Sequence, residues 1–173
     1  MPTILVADDQ PDIIEALRLL LKGAGYSIET ARSVAGIIAA VESKPLDVVL
    51  MDLNYTRDTT SGREGLSVLA RIKEIDDSLP IIVMTAWGSV NGAVEAIRHG
   101  ASDYIEKPWD NTRLLTTINT QLELGNAVRA GRQLERENRA LKRTGMPELI
   151  ATSPRMRPIL DLMERVLRRT RTC

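Results

Sequence analysis

Two patterns of apolar and polar positions alternate along this chain. Short, largely apolar runs occupy residues 3–7 (TILVA), 26–30 (YSIET), 47–51 (DVVLM), 80–85 (PIIVMT) and 103–107 (DYIEK). Runs of this length, separated by polar or glycine-containing segments, predict β-strands. The first, third and fourth runs are almost continuously apolar, which is typical of strands buried on both faces of a parallel sheet.

The longer segments between these runs carry apolar residues at helical spacing. They predict helices at residues 10–25, 33–44, 63–76 and 89–100, and the stripe of the first helix consists of Ile13, Ile14, Leu17, Leu20 and Leu21. Ser33 is a predicted N-cap, and Gly23 and Gly25 are predicted to end the first helix. Because strand and helix alternate five times, the pattern predicts an α/β fold with helices on both faces of an open parallel sheet.

The fifth helix is predicted to continue far past the last strand, from about residue 110 to residue 145, where Gly145 and Pro147 end it. A heptad can be placed on it, with Leu124, Gly131 and Asn138 at a positions and Ala127, Leu134 and Leu141 at d positions. A single Asn at an a position is a known determinant of coiled-coil register, so the pattern favours a parallel homodimer. The alternative is one amphipathic helix packed back on its own domain, and Gly125 and Gly131 weaken the helix in either case.

Composition narrows the class of protein. Hydrophobic residues make up 43% of the 173 residues and charged residues 27%, as in ordinary soluble domains. No apolar run approaches the roughly 20 residues that span a bilayer, and no basic segment precedes the first apolar run as in a signal peptide. Cys173 is the only cysteine, so neither an internal disulfide nor a cysteine metal site is expected. We expect a cytoplasmic protein without a membrane partner.

The charge is distributed unevenly. Residues 1–125 carry 11 Lys and Arg against 18 Asp and Glu, whereas residues 126–173 carry 12 against 5. The basic residues alternate with apolar ones, which favours a solvated helix face. The alternative is an anionic partner for the basic segment, including the acidic first part of the chain itself.

Charged and hydroxyl side chains follow the predicted strands at one edge of the sheet, where open parallel sheets bind ligands. Asp8 and Asp9 follow the first strand, Asp52 the third, Thr85 the fourth and Lys107 the fifth. Three adjacent carboxylates repel each other unless a cation joins them, and an all-oxygen set favours Mg²⁺. A carboxylate can also accept a phosphoryl group, whose charge a Lys ammonium and a Thr hydroxyl would neutralise.

The segments LVADDQ, VLMDL, VMTAWG and DYIEKPW resemble the response-regulator receiver domain of two-component signalling, over about residues 2–120. The resemblance implies a flavodoxin-like, doubly wound, five-stranded sheet of order 2-1-3-4-5. It implies that Asp52 takes phosphate from a sensor histidine kinase and that Thr85 and Lys107 bind the phosphoryl group. Tyr104 matches the aromatic switch residue. The implied Mg²⁺ ligands are Asp8, Asp9, Asp52 and the backbone carbonyl of Asn54, with Asp9 a more direct ligand than Asp8.

The segment LIATSPRMRPILDLMERV resembles the opening of the ATPase module of NtrC-type, sigma-54-dependent activators. The predicted domains are a receiver at 1–120, a coiled-coil linker at 121–145 and the start of a truncated AAA+ module at 146–173. Because the chain lacks a G-x-x-x-x-G-K-[ST] phosphate loop, we expect no ATP hydrolysis and no enzymatic activity beyond its own phosphorylation and dephosphorylation. DNA and sigma-54 polymerase would be contacted only through parts absent from this chain. The final LRRTRTC departs from the apolar strand expected next.

One segment departs from the receiver pattern. The loop LNYTRDTTSGREG after Asp52 is longer than usual and lacks the Met-Pro-Gly turn, which suggests either a tolerated insertion or a role in access to Asp52. Two other functions stay open: a phosphorylation-independent dimerisation scaffold with a degenerate receiver, and a metal-dependent phosphatase. The phosphatase is disfavoured because the residue two positions after Asp52 is Asn54 and not a second acid.

Overall fold

A computed structural model describes residues 1–53, 63–86 and 90–143. The elements in chain order are β1 (Thr3–Ala7), α1 (Pro11–Gly23), β2 (Ser27–Ala31), α2 (Val34–Ser43), β3 (Val48–Asp52), α3 (Arg63–Ile75), β4 (Ile81–Ala86), α4 (Val90–Arg98), β5 (Asp103–Lys107) and α5 (Asn111–Arg143). The predicted alternation is confirmed. β1 and β5 have the predicted bounds, and the ends of the other strands and of the first four helices differ from the prediction by at most two residues.

The five strands form one parallel sheet in the order β2-β1-β3-β4-β5. The α/β class and the strand order that the resemblance implied are therefore both confirmed. β3 is buried along its whole length, and β1 is buried after its first residue. This burial explains why these two strands are almost purely apolar in sequence.

Alternate residues of the strands enter two separate cores, as the pleat of a sheet requires. One core lies beneath α2, α3 and α4 and contains Leu5, Val49, Met51 and Val83. The other lies beneath α1 and α5 and contains Ile4, Val6, Leu50, Met84 and Ile105, packed against helix residues such as Leu17 and Ile118. Because helices cover both faces, the central strands β1 and β3 are buried, whereas the outer strands β2 and β5 are partly exposed.

Local signals explain most of the helix ends. The Ser33 hydroxyl accepts a hydrogen bond from the Gly36 amide at 3.1 Å, which confirms the predicted cap of α2. After α1, Gly25 has a φ of 89° and the Tyr26 amide donates to the Leu21 carbonyl at 3.1 Å. Because the Tyr26 amide is hydrogen-bonded in this turn, it does not pair in the sheet. β2 therefore begins at Ser27, one residue later than predicted.

Helix α5 runs for 33 residues and passes through Gly125 and Gly131 without a break. Its first turn is capped by the Asp110 carboxylate, which accepts a hydrogen bond from the Arg113 amide at 2.8 Å. The chain divides into two compact units, residues 1–131 and 132–173. Residues 144–173 lie outside the described part of the chain, as do Gly145, Pro147 and the predicted AAA+ segment. The predicted boundaries at 120 and 145 therefore stay predictions.

Among the described helices, none has both the length and the apolar character needed to cross a membrane.

Candidate functional site

Three carboxylates meet at the edge of the sheet where the strands end. Asp8 and Asp9 follow β1, Asp52 is the last residue of β3, and one oxygen from each lies within 4.8 Å of the others. Asp8 is fully buried, Asp52 is 3% exposed and Asp9 is partly exposed. β1 and β3 are parallel neighbours with Ala7 paired to Met51, so their ends place these acids together.

Lys107, the last residue of β5, supplies the cation that this cluster needs. Its Nζ atom donates to Asp8 Oδ2 at 2.7 Å and to Asp52 Oδ2 at 2.9 Å. The Lys107 side chain is 17% exposed, so the two ion pairs are largely shielded from water. The peptide bond that follows, Lys107–Pro108, is cis.

The charge state of Lys107 is decided by two opposing effects. Burial alone would lower the pKa of the ammonium, because it disfavours the charged form. The hydrogen bonds that Lys107 donates to Asp8 and Asp52, together with the negative charges of these acids, outweigh burial and raise the pKa of Lys107 above its ordinary value of 10.5. Lys107 is therefore protonated at neutral pH and holds a positive charge between two acids.

Backbone contacts hold the acids in place. The Asp8 side chain accepts a hydrogen bond from the Gln10 amide at 2.9 Å, which fixes the carboxylate at the entrance to α1. Beyond Asp52, the Leu53 amide donates to the Met84 carbonyl at 3.1 Å and extends the pairing of β3 with β4. Asp52 thus sits on a rigid strand end, which favours accurate positioning of a reacting group.

Gly65 is a site feature that sequence reasoning missed. A Cβ atom at this position would collide with the backbone carbonyl oxygen of Leu53, the residue after Asp52. Only glycine allows the first turn of α3 to approach the end of β3 this closely. The sequence shows a glycine in the first turn of a predicted helix. The pattern does not show that Gly65 packs against Leu53, which lies 12 positions earlier.

The remaining predicted residues of this edge lie in different surroundings. Thr85 is 4% exposed and pairs with Glu106 of β5, so it lies one residue before the end of β4. Tyr104 is 40% exposed. Because its neighbour Ile105 enters the core under α1 and α5, Tyr104 faces the opposite side of the sheet. Asn54 lies outside the described residues, as do Trp87 and most of the loop after Asp52.

The predicted dimer residues of α5 are exposed where they are described. Leu124 is 55% exposed and Leu134 64% exposed, and Ala127, Gly131 and Asn138 are exposed as well. Leu141 lies within the helix, and its side chain is outside the described part of the chain. The structure leaves this heptad stripe uncovered, so its role in a dimer stays a prediction.

The acidic cluster has the chemistry of a hard-metal site. All three side chains offer carboxylate oxygens, which suit a small divalent cation better than a soft metal. Two of the three are buried, and Lys107 pairs with both of them, so among the described residues of the cluster three carboxylates face one ammonium. The residues present therefore fit the acidic metal pocket that is typical of receiver domains.

The model of the response regulator receiver domain matches residues 4–119 of this chain. The chain belongs to this family. It is 35% identical over 158 residues to the transcriptional regulatory protein ZraR of Salmonella typhimurium, covering 91% of this chain and 33% of that protein. It is 32% identical over 159 residues to the nitrogen assimilation regulatory protein NtrX of Azorhizobium caulinodans, covering 90% of this chain and 34% of that protein.

A solved structure of a related protein has a similar fold. NtrX from Brucella abortus, crystallised in complex with ADP, superposes with a TM-score of 0.70 at 32% identity, covering 96% of this chain and 35% of that chain. The resemblance to NtrC-type activators is confirmed by these relatives. This receiver chain spans about a third of the length of the curated relatives reported above.

Proposed function

We propose that this chain is the phosphorylation-controlled receiver and dimerising linker of a sigma-54-dependent transcription activator. Asp52 accepts a phosphoryl group from a sensor histidine kinase, and the linker helix carries the resulting change to an ATPase module beyond this chain. The observation that carries the proposal is the single cluster of Asp8, Asp9 and Asp52 with Lys107 bonded to two of its members.

The proposed reaction is a direct phosphoryl transfer. An oxygen of the Asp52 carboxylate attacks the phosphorus of a phosphohistidine on the kinase. A new P–O bond forms while the P–N bond breaks, and the electron pair of the broken bond stays on the imidazole nitrogen, which takes up a proton. The burial of Asp52 keeps water away from most of its surface, which favours transfer over side reactions.

The neighbours of Asp52 have the charges that this reaction requires. Mg²⁺ held by Asp8, Asp9, Asp52 and the Asn54 carbonyl would supply positive charge beside the phosphoryl oxygens. Lys107 is already within 2.9 Å of an Asp52 oxygen, so its ammonium can bind the incoming group with little movement. Thr85, buried near the end of the adjacent strand, is proposed to donate its hydroxyl to the same group.

The proposed output begins at these side chains. When Lys107 and Thr85 turn towards the phosphoryl group, Tyr104 reorients, and the surface formed by α4, β5 and α5 repacks. Tyr104 is 40% exposed, and we expect this fraction to fall when the side chain reorients. The change would reach the linker because α5 is part of this surface and also carries the heptad stripe.

The first test is intact mass spectrometry of the chain after incubation with Mg²⁺ and acetyl phosphate. We expect a phosphoryl adduct that requires Mg²⁺ and disappears in Asp52→Asn. Asp76→Asn is the matched control, since Asp76 lies between the end of α3 and the start of β4, away from the acidic cluster, and should not affect the adduct. A folded wild-type chain that takes no phosphoryl group from either acetyl phosphate or a phosphorylated kinase domain would refute the proposal.

A scaffold that works without phosphorylation is the second candidate, and the exposed stripe of Leu124, Ala127 and Leu134 supports it. It predicts the same dimer in the presence and absence of a phosphodonor. Sedimentation of the wild-type chain and of Asp52→Asn, each with and without acetyl phosphate, separates the two functions. A response in the wild-type chain alone supports the phosphorylation switch.

A further inference from the structure

The segment 119–129 of α5 lies against the edge of the sheet where the strands begin, opposite the acidic cluster. Four of its residues contact positions at or just before a strand start. The hydroxyl group of Tyr26, the residue before β2, donates a hydrogen bond to Asn119 Oδ1 at 2.6 Å. The side-chain amide of Gln121 donates to Oδ2 of Asp103, the first residue of β5, at 3.5 Å. Gly125 and Arg129 make the other two contacts.

Gly125 allows the helix to touch β4. It is buried, and a Cβ atom at this position would lie 2.8 Å from Cγ and 3.2 Å from Cδ of Pro80, the residue before β4. Such a separation is too short for two carbon atoms. The helix backbone and the proline ring are therefore in direct contact only because position 125 has no side chain.

Arg129 attaches the helix to β3 one turn later. Its Nη2 atom donates to Asp47 Oδ1 at 3.2 Å, and Nη1 donates to the Leu46 carbonyl at 3.3 Å. The other oxygen of Asp47 accepts the Thr3 amide at 2.8 Å, so the same carboxylate also ties the starts of β3 and β1 together. Arg129 is a basic residue of the linker paired with an acid of the receiver.

These contacts occupy the side of α5 that the heptad stripe does not use. Leu122, Gly125 and Arg129 recur at intervals of three and four residues, as do Leu124, Ala127 and Gly131. At 100° per residue the two sets lie on opposite sides of the helix. The first set is buried or bonded to the receiver, and the second set is exposed. The receiver can hold the helix while the opposite side stays open to a second copy.

We propose that Pro80, Gly125, Asp47 and Arg129 form a linker latch that holds residues 119–131 of α5 against the starts of β3 and β4 and transmits phosphorylation to the linker helix. The transmitting role rests on the proposed function of Asp52. The latch acts on the two strands that carry the reacting end. β3 starts after Asp47 and ends at Asp52, and β4 starts after Pro80 and contains Thr85. A buried strand is stiff along its length, so displacement at one end alters the contacts at the other.

Hydrogen–deuterium exchange of the segment 119–131 tests whether the latch holds the helix. The key comparison is Gly125→Ala with Gly131→Ala, because both make the same change in the same helix, and nothing lies within 4 Å of a Cβ atom at Gly131. Replacing glycine with alanine raises the helix propensity equally at both positions. We expect exchange at least about fivefold faster in Gly125→Ala than in Gly131→Ala, since only the former pushes the helix off Pro80. Equal rates would overturn the latch.

A second pair of variants tests the ion pair without altering the packing. Arg129→Met should speed exchange of the segment about two- to fivefold, the range for a partly exposed ion pair, whereas the exposed Arg136→Met should leave it unchanged. Adding Asp47→Asn to Arg129→Met should produce no further increase, because the interaction is already lost. Equal effects of Arg129→Met and Arg136→Met, or full additivity with Asp47→Asn, would contradict the proposal.

Transmission is tested on the same proteins with Mg²⁺ and acetyl phosphate. We expect both latch variants to form the Asp52 adduct like the wild-type chain and to lose the accompanying change in dimer state. Latch variants that keep the full change overturn the transmitting role. A wild-type chain that forms no adduct refutes the proposed function instead, and the exchange measurements on the unphosphorylated proteins still decide whether the latch exists.

Discussion

Lys107 has two roles in the site that lead to different measurements. It donates hydrogen bonds to Asp8 and Asp52, and it offsets the repulsion between two buried carboxylates. In the proposed phosphorylated state it would instead bind the phosphoryl group. The same ammonium therefore stabilises the fold and is placed for the proposed switch.

Replacing Lys107 with Met should destabilise the metal-free chain. We expect a loss of free energy of unfolding on the order of 2 kcal/mol, less than for a fully buried pair because Lys107 reaches solvent. Saturating Mg²⁺ should then raise the melting temperature more in the variant than in the wild-type chain, because no ammonium competes with the metal. Urea titrations and thermal melts measure both effects.

Lys44→Met is the matched control for that variant. Lys44 pairs with Glu29 on the surface, where both side chains are well exposed, and its loss should cost less than about 0.5 kcal/mol. A Lys107→Met variant as stable as Lys44→Met would contradict the role given to the buried pairs.

The stability contributed by Lys107 should depend on pH only in the alkaline range. Since its pKa is raised in the folded chain, the contribution is fully present below the ordinary value of 10.5 and is lost as the pH rises through the folded value. The difference in unfolding free energy between the wild-type chain and Lys107→Met should therefore be constant between about pH 7 and pH 9 and shrink above the ordinary pKa. A difference that already falls between pH 7 and pH 9 would show that another group controls it.

Gly65→Ala should disturb the end of β3. The added methyl group meets the Leu53 backbone carbonyl, which cannot move without shifting the strand end that carries Asp52. We expect a loss of about 1–3 kcal/mol in stability and slower formation of the Asp52 adduct. Gly23→Ala, where nothing lies within 4 Å, is the control that should show neither effect.

At the scale of elements, α5 joins two structural roles in one helix. Its first half buries Leu114, Ile118 and Leu122 against the sheet, and its later turns expose the predicted dimer stripe. Leu124 and Leu134 are exposed within the part of the chain that the structure describes, which favours a partner for that side of the helix.

Leu134→Gln should weaken self-association while leaving the receiver folded. Leu134 occupies a d position and is 64% exposed. A second copy would therefore bury a side chain that the described part of the chain leaves exposed. We expect a dimer dissociation constant at least about tenfold higher, from the loss of two buried leucine contacts per dimer. Arg136→Gln, on the far side of the helix, is the control. Sedimentation equilibrium measures both, and equal dissociation constants would exclude this stripe as the dimer seam.

At the scale of the whole molecule, the proposed phosphorylation of Asp52 and the proposed dimerisation through α5 require a physical connection between them. Acetyl phosphate with Mg²⁺ should change the dimer fraction of the wild-type chain and should not change that of Asp52→Asn. Sedimentation velocity at matched concentrations measures the dimer fraction, and intact mass on the same samples reports the adduct. The same change in Asp52→Asn would mean that the phosphodonor acts elsewhere.

The elements and the charged edge of the sheet follow from the sequence pattern. The apolar runs of β1 and β3 predict buried parallel strands, because helices cover both faces of a central strand in a parallel sheet. Once those strands are placed in parallel, Asp8, Asp9, Asp52 and Lys107 must all lie at one edge, and the structure brings them together. These conclusions depend on periodicity and chain direction, which are properties of the sequence.

Contacts between residues that are distant in sequence depend on tertiary packing. Gly65 appeared as a weak point of a helix, and its contact with Leu53 depends on how α3 approaches β3. Gly125 likewise appeared only to weaken a long helix, until its contact with Pro80 gave it a packing role. The pairing of Arg129 with Asp47 spans 82 positions and follows from the rotation of α5 about its own axis. A sequence pattern specifies which side of a helix is apolar, but packing in three dimensions fixes where each side chain of that helix finally lies.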